Sequence, residues 1–558
     1  MRLSVRLLSQ LCTLALVMTA AFAAPVVSAQ AVPVNNTSAD PNSADSKAGA
    51  EWWSRVQYLA GDKLQGRLTG SAEYQQAAEY VAAQFKKDGL QPAGVNGYFQ
   101  PVRFDVERVV AARSSLALVN NGHAQPLALG EDAVLSARSS QPAKLEAPLV
   151  FIGYGLHIPE AHYDDFAGPD QKGLDLRGKV VVYINGGPSD ISAALKSDAR
   201  GSEFAKALAR SGAVGIISIP LPKAMDFPWD RIMLLASQTG MRLAADEPKH
   251  TGSALLSASF NPAEAEKLFA GSGHTFAEVL ALANDSKPIP RFPLAVSLRA
   301  SVVTENQQVE SPNIVAELPG TDPVLKSEYV IVSAHLDHLG VGEPINGDKI
   351  YHGAMDDASG VAFVLEIARL MHADHVALKR SVLFAVFTAE EKGLLGSHYY
   401  ATHPTVPKGS IAADINMDMP LPLYPFKQVL APGLDESTLS TAVRKVAAAA
   451  HIQVVPDPEP DRNTFIRTDQ YSFVRTGVPA VALKFGFEAG SPEQKTVVAW
   501  RKLRYHSTQD NLAQPVDLAA AAQFQQFVLT LTEQVANDPS RPQWKPESFF
   551  RRFANAGN

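Results

Sequence analysis

The chain has 558 residues and a formal net charge of −7, and 46% of its residues are hydrophobic. This length predicts two or three structural units, and the composition excludes a disordered or fibrous protein. The acidic balance and the absence of a basic tract argue against nucleic acid as a partner.

The first 29 residues have the pattern of a secretory signal peptide. Arg2 and Arg6 precede an apolar run over 11–22, and small residues end the segment at Ala29. The run is too short to span a membrane, so we expect cleavage after Ala29, export to a bacterial periplasm or medium, and no integral membrane segment afterwards. The single cysteine, Cys12, lies in this signal, which excludes disulfides and thiolate ligands from the mature chain.

The next segments predict a discontinuous main domain with an insertion. Residues 30–50 read as a flexible leader, and Ser71 is expected to cap a helix over about 72–88. From about residue 142 the pattern changes to short apolar strands divided by Gly and Pro, at 148–155, 178–184 and 215–218. We therefore assign 141–291 to a smaller inserted β-rich α/β domain, and 51–140 with 292–540 to the main domain.

After Pro312 the pattern alternates between strands and helices. This alternation is typical of an α/β fold with a mostly parallel mixed sheet and helices on both faces. Strands are expected at 328–334, 381–388, 411–417 and 479–485, and helices at 358–373, 436–450 and 517–536. Residues 541–558, rich in Pro and basic residues, are expected to form a loosely docked C-terminal tail.

Acidic and histidine side chains recur at the ends of these predicted strands. They are His335, Glu390, Glu391 and Asp418, joined by Asp356 before a helix and His506 in a late loop. Singly, His335 reads as a core histidine, the glutamates as a helix start and Asp356 as a helix cap. Ligands bind beyond the carboxyl ends of strands in open α/β sheets, and two histidines with several carboxylates suit zinc. Recurrence at one edge therefore favours a metal site, whereas His338 is expected at the surface without a role.

Five ordered motifs resemble the secreted dizinc aminopeptidase family, which includes bacterial leucyl aminopeptidases and glutamate carboxypeptidase II. They are AHLDH at 334–338, GAMDDASG at 353–360, FTAEEKGLLGS at 387–397, INMDM at 415–419 and YHSTQDN at 505–511. The resemblance covers about 52–515 apart from the insertion. The insertion carries GYG, YDDF, LRGKVVVY and GAVGIIS, and these resemble a protease-associated domain.

The resemblance implies the zinc exopeptidase fold, two zinc ions and a role for each site residue. Asp356 would bridge both ions, one of which takes His335 and Asp418 and the other Glu391 and His506. Glu390 would be the general base beside a metal-bridging hydroxide, and Asp337 would hydrogen-bond the far nitrogen of His335. A cis peptide between Asp356 and Asp357 is also implied.

The implied activity is that of a metallo-aminopeptidase, which hydrolyses N-terminal residues from peptides with a free N-terminus. The alternatives are a dizinc carboxypeptidase or dipeptidase, and a non-catalytic binding protein on the same fold. Gln470 and Phe465 depart from the family pattern, which bears on substrate preference and not on hydrolysis. Neither the oligomeric state nor the preferred N-terminal residue is predicted by the sequence.

Overall fold

A computed structural model describes residues 43–138, 140–167, 174–244 and 255–554. The predicted signal peptide, residues 30–42 of the predicted leader and the last four residues of the predicted tail lie outside this range. Within it, the secondary structure is as follows. The helices are α1 Ala44–Leu59, α2 Ala72–Lys87, α3 Ala193–Asp198, α4 Phe204–Ser211, α5 Trp229–Leu235, α6 Glu266–Phe269, α7 Phe276–Asn284, α8 Ser359–Ala373, α9 Leu395–Thr402, α10 Leu439–Ala449, α11 Gln470–Arg475, α12 Pro492–Leu503, α13 Leu518–Asn537 and α14 Arg551–Ala554. The strands are β1 Gln91–Pro92, β2 Phe99–Val109, β3 Ser115–Asn120, β4 His123–Leu127, β5 Ala133–Leu135, β6 Lys144–Phe151, β7 His157–Ile158, β8 Tyr163–Asp164, β9 Val180–Ile184, β10 Gly215–Ile219, β11 Gly240–Leu243, β12 Leu256–Phe260, β13 Phe292–Ser301, β14 Thr304–Leu318, β15 Tyr329–His335, β16 Gly340–Ile345, β17 Asp348–Tyr351, β18 Ser381–Phe387, β19 Ile411–Asn416, β20 Gln428–Leu430, β21 Gln453–Val455, β22 Ala480–Ala482 and β23 Lys484–Phe485.

The main sheet has the strand order β11-β2-β14-β18-β15-β19-β22, with β1 paired to β14. Strands β18, β15, β19 and β22 run parallel, and the strands on the other side of β18 run antiparallel. Every residue of β18 and β19 is buried, because a parallel strand covered on both faces needs apolar side chains on both. The predicted strand at 479–485 divides into β22, in this sheet, and β23, in a separate three-stranded sheet.

Helices cover both faces of the main sheet, as the α/β prediction requires. On one face α1, α8 and α13 share the largest apolar cluster, in which Trp52 stacks on Phe363 at 4.8 Å. On the other face Tyr400 of α9 and Phe473 of α11 pack on β18. The predicted fold class is therefore confirmed. Among the described residues we find no helix with the length and apolar character that crossing a membrane requires.

A second mixed sheet has the order β4-β3-β13-β6-β9-β10-β12-β5. Its strands run from residue 115 to residue 301, so the sheet extends beyond the predicted insertion, 141–291, on both sides. Strand β11 lies inside the predicted insertion, yet it pairs with β2 in the main sheet. The Gly and Pro residues that separate short strands from about residue 142 therefore begin inside this sheet, and they do not mark the point in the sequence where the sheet starts.

The described parts of the predicted leader and tail, residues 43–50 and 541–554, are more ordered than predicted. Helix α1 begins at Ala44, inside the predicted leader, because the Ser43 hydroxyl caps it by accepting the Ser46 N–H at 3.1 Å. In the tail Trp544 and Phe550 are buried, and Trp544 Nε1 donates to the Gly477 carbonyl at 2.8 Å. The prediction of a loose tail is therefore wrong up to residue 554, because aromatic side chains anchor it.

Candidate metal centre

The parallel half of the main sheet places the candidate residues at one edge. His335 is the last residue of β15, Glu390 and Glu391 follow β18, and Asp418 follows β19. Because β15 lies between β18 and β19, the three strand ends are neighbours. The loop before α8 carries Asp356 to the same edge.

Two sets of ligand atoms meet at the carboxylate of Asp356. Its Oδ1 lies 3.2 Å from His335 Nε2, which lies 4.0 Å from Asp418 Oδ1. Its Oδ2 lies 3.3 Å from His506 Nε2, which lies 3.1 Å from Glu391 Oε2. The structure thus brings the five predicted ligands together around Asp356, with His335 beside its Oδ1 and His506 beside its Oδ2.

The spacing of these atoms fits a divalent metal. Zinc bonds of about 2.0–2.2 Å place neighbouring ligand atoms of a tetrahedral site roughly 3.3–3.6 Å apart. Three of the four separations are close to this range, and the fourth, from His335 Nε2 to Asp418 Oδ1, is longer at 4.0 Å. His335 Nε2, Asp356 Oδ2 and Asp418 Oδ1 are buried and have no hydrogen-bond partner among the described residues. Buried polar atoms normally have partners, so these residues fit a bound cation.

The carboxylates and histidines of the site shift one another's pKa values. Burial alone would lower the pKa of His506, but Glu391 and Asp356 raise it to about 10. Burial would raise the pKa of Glu391, but His506 holds it well below its usual range. The pKa of Glu390 is raised well above its usual value, chiefly by burial. The ligand positions therefore attract positive charge, and Glu390 is a carboxylate suited to hold a proton.

Asp337 lies between His335 and the backbone of the two glutamates. The far nitrogen of His335, Nδ1, lies 3.1 Å from the backbone carbonyl of Asp337, whereas the Asp337 carboxylate is 3.9 Å away. That carboxylate accepts the backbone N–H of Glu390 at 3.0 Å, that of Glu391 at 3.4 Å and the Thr69 hydroxyl at 2.9 Å. Along the path of the chain after β15, the Asp337 carbonyl faces the His335 ring and the Asp337 carboxylate faces the segment that follows β18. The Asp337 carboxylate therefore anchors the backbone of the two glutamates, its role towards His335 stays a prediction, and the Asp337 carbonyl is the group nearer to the His335 ring.

The loop that carries Asp356 is held by carboxylates on either side. Asp356 and Asp357 are joined by the cis peptide bond that the resemblance implies. The Asp356 N–H donates to the Asp510 carboxylate at 3.0 Å, and Asp357 Oδ1 accepts the backbone N–H groups of Gly360 at 3.0 Å and Met419 at 3.1 Å. The Asp357 carboxylate also lies close enough to the first set to join it. Because Oδ1 of Asp357 already accepts two backbone N–H groups, Asp356 is the better candidate for the shared ligand.

Arg67 is fully buried and ties together the loops around the site. Its guanidinium donates at 2.7–3.0 Å to four backbone carbonyls, those of Leu59, Leu336, His352 and Gly353. Burial lowers the pKa of Arg67 to about 10, which leaves it charged at neutral pH. Nothing in the local sequence pattern indicates this role, since the partners of Arg67 are backbone carbonyls and three of them lie far along the chain.

His338 is fully buried beside the second ligand set. Its Nδ1 lies 2.8 Å from Glu391 Oε1 and 3.8 Å from Asp356 Oδ2, and its ring lies 5.9 Å from that of His506. The prediction that His338 lies at the surface is therefore wrong. The nearby Leu336 and Leu339 are also buried, so this whole segment packs in the interior. A histidine between two leucines directly after a ligand-bearing strand was the signal that could have found it.

A cleft of about 920 Å³, including its open mouth, leads to the site. Asp356, Glu390, Asp418 and His506 line its inner end. Its walls carry apolar side chains, among them Leu421, Leu430, Phe485, Phe487, Val497 and Trp500. This arrangement can hold an extended chain end against the ligand atoms and Glu390.

The two positions that depart from the family pattern do not line the cleft. Phe465 packs against Phe550 of the tail, with ring centroids 5.1 Å apart. Gln470 Nε2 donates to the Phe465 carbonyl at 2.6 Å. These residues fix the loop at 465–470, so their influence on substrate preference would be indirect.

Comparison with known proteins agrees with this geometry. Residues 313–532 match the Peptidase family M28. A 120-residue stretch, 21% of this chain and 26% of the relative, is 37% identical to a "Probable zinc metalloprotease" of Pyrenophora tritici-repentis. A 221-residue stretch, 37% of this chain and 44% of the relative, is 28% identical to "Leupeptin-inactivating enzyme 1" of Streptomyces exfoliatus.

A solved structure shows that the likeness extends to the fold. The "Aminopeptidase from Aneurinibacillus sp. strain AM-1" superposes with a TM-score of 0.51 at 19% identity, over 88% of this chain and 95% of that one. The chain spans less than half the length of the curated relatives named above. The fold predicted from the motifs is confirmed, and the family match over residues 313–532 agrees with the resemblance of the main-domain motifs to zinc aminopeptidases.

Proposed function

We propose that this chain, which matches the M28 peptidases over residues 313–532, is a zinc-dependent exopeptidase that removes N-terminal residues from peptides. The observation that carries the proposal is the pair of ligand sets that share Asp356 at the inner end of a cleft. Relatives described as leucine aminopeptidase and as Aminopeptidase Y support an exopeptidase that acts from the N-terminus.

Two zinc ions are part of this proposal. His335 and Asp418 would hold one ion and Glu391 and His506 the other, with Asp356 shared. When bound, zinc supplies Lewis-acid activation of water and of the scissile carbonyl. His338, which adjoins Glu391, is suited to orient that ligand.

Glu390 is the residue that we assign to proton transfer. It lines the cleft beside the ligand atoms, and burial raises the pKa of its carboxyl well above the ordinary value, which favours a group that takes up a proton. Its backbone N–H is fixed by Asp337 at 3.0 Å, so the side chain starts from an anchored turn. In this role Glu390 accepts a proton as the peptide carbonyl is attacked and gives it to the leaving amine.

One observation keeps the second candidate, a dizinc carboxypeptidase or dipeptidase, open to test. Such an enzyme needs a cation for the substrate's C-terminal carboxylate, and Arg467 in the cleft wall is a residue that could supply one. An aminopeptidase should cleave a peptide with a free N-terminus and an amidated C-terminus, and it should not cleave the N-acetylated peptide. A carboxypeptidase would show the opposite pattern.

The experiment that tests the proposal combines this substrate panel with metal analysis. We expect about two zinc ions per chain, loss of turnover on dialysis against a chelator, and recovery on adding Zn²⁺. A chain that binds one zinc ion and is fully active would refute the shared Asp356 site. A chain that cleaves neither this panel nor an unblocked dipeptide in the presence of zinc would refute the peptidase assignment.

Export and the nature of the second sheet also belong to the proposal. The pattern of residues 1–29 supports export to a bacterial periplasm or the medium, and N-terminal sequencing of the secreted chain should begin at Gln30. The motifs quoted for 141–291 support a protease-associated domain built around the second sheet.

A further inference from the structure

A segment of the chain between β10 and β11 reaches across to the catalytic rim. We call residues 225–238 the strap. Arg231 of the strap donates to the Tyr505 carbonyl at 3.0 Å, next to the candidate ligand His506. Gln238 bonds the Leu339 carbonyl at 3.0 Å. The strap is thus fixed at the turn after β15 and at the loop that carries His506.

The strap also places one carboxylate against two arginines of the cleft wall. Asp226 Oδ1 accepts from Arg462 Nε at 2.9 Å and lies 2.8 Å from Arg462 Nη2, and Asp226 Oδ2 accepts from Arg467 Nη1 at 3.0 Å. The Asp226 side chain is 13% exposed, whereas that of Arg467 is 44% exposed. Burial would raise the pKa of Asp226, but the two arginines lower it, so it is ionised at neutral pH.

Asp226 therefore changes the charge that the cleft presents to a substrate. Arg462 and Arg467 line the cleft, and Asp226 is not among the lining residues. Glu459 pairs with Arg501 at 2.7 Å and also lies 3.7 Å from Arg462, and Asp457 and Lys484 are further charged residues of the cleft lining. Removing the Asp226 carboxylate would therefore add one unit of positive charge at this wall, and it would free the Arg467 guanidinium donor that Asp226 now accepts from, so that this donor could bind a substrate carboxylate.

We propose that Asp226 is a positioning residue for substrate specificity, which occupies Arg462 and Arg467 and thereby disfavours peptides with an acidic N-terminal side chain. It acts through the arginines and does not touch the substrate. The carboxylate of Asp226 takes the place at the arginine pair that a glutamyl or aspartyl side chain would otherwise take. Substrates with an apolar N-terminal side chain, which fits the apolar part of the cleft wall, should be unaffected by the charge of Arg462 and Arg467. The inference rests on the proposed exopeptidase function.

The test compares leucyl and glutamyl 7-amido-4-methylcoumarin as substrates of the full-length zinc-loaded chain. For Asp226→Asn we expect the ratio of kcat/KM for leucyl over glutamyl to fall about tenfold, chiefly through a lower KM for the glutamyl substrate. Asp226→Glu should restore the wild-type ratio. Adding Arg467→Gln to Asp226→Asn should remove the gain, because the unmasked cation is then missing.

The matched control is Glu146→Gln, which removes an exposed carboxylate from the same part of the chain. Glu146 pairs with Arg299 at 2.8 Å in the second sheet and does not line the cleft. The Glu146→Gln variant should keep the wild-type ratio of kcat/KM for the leucyl over the glutamyl substrate. If Asp226→Asn accelerates both substrates equally, or leaves the ratio unchanged, the inference is wrong.

Two further results separate misfolding and failure of the function from failure of the inference. Should Asp226→Asn not fold, Asp226→Ser tests the same point: the leucyl-over-glutamyl ratio of kcat/KM should fall, and an unchanged ratio would overturn the inference. A wild-type chain that cleaves neither substrate contradicts the proposed function and, with it, the inference. Wild-type cleavage with an unchanged ratio in the variants contradicts the inference alone.

Discussion

Asp337→Asn separates the role predicted for this side chain from the one that the structure supports. The amide keeps the size of the carboxylate but replaces one acceptor oxygen by an NH₂ group. The Thr69 hydroxyl can rotate to accept from that group, whereas the Glu391 N–H, now 3.4 Å from Asp337 Oδ2, would face a donor. The substitution therefore removes one anchor of the turn that carries Glu390 and Glu391.

The expected loss of stability is modest. An unpaired buried N–H costs about 1–3 kcal/mol. Part of this is offset because burial raises the pKa of Asp337, so a neutral amide is less costly to bury than the carboxylate. We expect the free energy of unfolding to fall by about 1–2 kcal/mol. The effect on turnover should be larger, since a displacement of about 1 Å in a catalytic group can cost about 100-fold in rate.

The assay measures guanidinium unfolding, bound zinc and kcat on the same preparation of Asp337→Asn. A large loss of kcat with zinc retained and stability only slightly reduced is the expected result. Thr69→Val, which removes only the hydroxyl contact, should have a smaller effect on kcat. If the variant instead loses zinc while kcat per bound ion is unchanged, the carboxylate acts through His335, and the reasoning from the turn is refuted.

Three more predictions follow from single side chains. Glu390→Gln should keep both the fold and bound zinc but lower kcat by about 100-fold to 10,000-fold, as expected for loss of a general base; near-normal kcat at unchanged zinc content would remove Glu390 from that role. Arg67→Met should lower the free energy of unfolding by on the order of 4 kcal/mol, because four backbone carbonyls lose a charged donor; a loss below about 1 kcal/mol in guanidinium unfolding would contradict this account. Burial raises the pKa of Asp165 from its ordinary value of 3.8 to about 7, so the folded chain holds a proton that the unfolded chain releases. This contribution to stability is full below about pH 4 and is lost as pH rises through 7. Asp165→Asn should therefore flatten the pH dependence of urea unfolding between pH 5 and pH 8, and an unchanged slope would show that Asp165 titrates normally.

The sequence predicted those parts of the site that recur in a regular pattern. Apolar runs ending in His335 or Asp418 indicated both the strands and their shared edge, since parallel strands end together. The motifs then indicated which side chains would meet at Asp356. Those residues do meet around Asp356.

Other contributions escaped prediction because they depend on where the backbone turns. The placement of the carbonyl and the carboxylate of Asp337 follows from the path of the chain after β15, which no residue pattern specifies. The donation from Arg67 to four carbonyls is equally invisible, because a carbonyl partner has no side-chain signature. Asp226 lies far from the five motifs in sequence, and only the tertiary structure brings it to Arg467.

The pairing of β11 with β2 has a consequence for shortened versions of this chain. Strand β11 forms the outermost ladder of the main sheet, against residues 104–107 of β2. A chain trimmed of everything between β2 and β14 would lose that cover, and an eleven-residue strand would be left with open N–H and C=O groups along one side. Exposed edges of that kind recruit strands from other molecules. A minimal version should therefore retain residues 240–243, or place charged side chains along β2, if it is to stay free of aggregates.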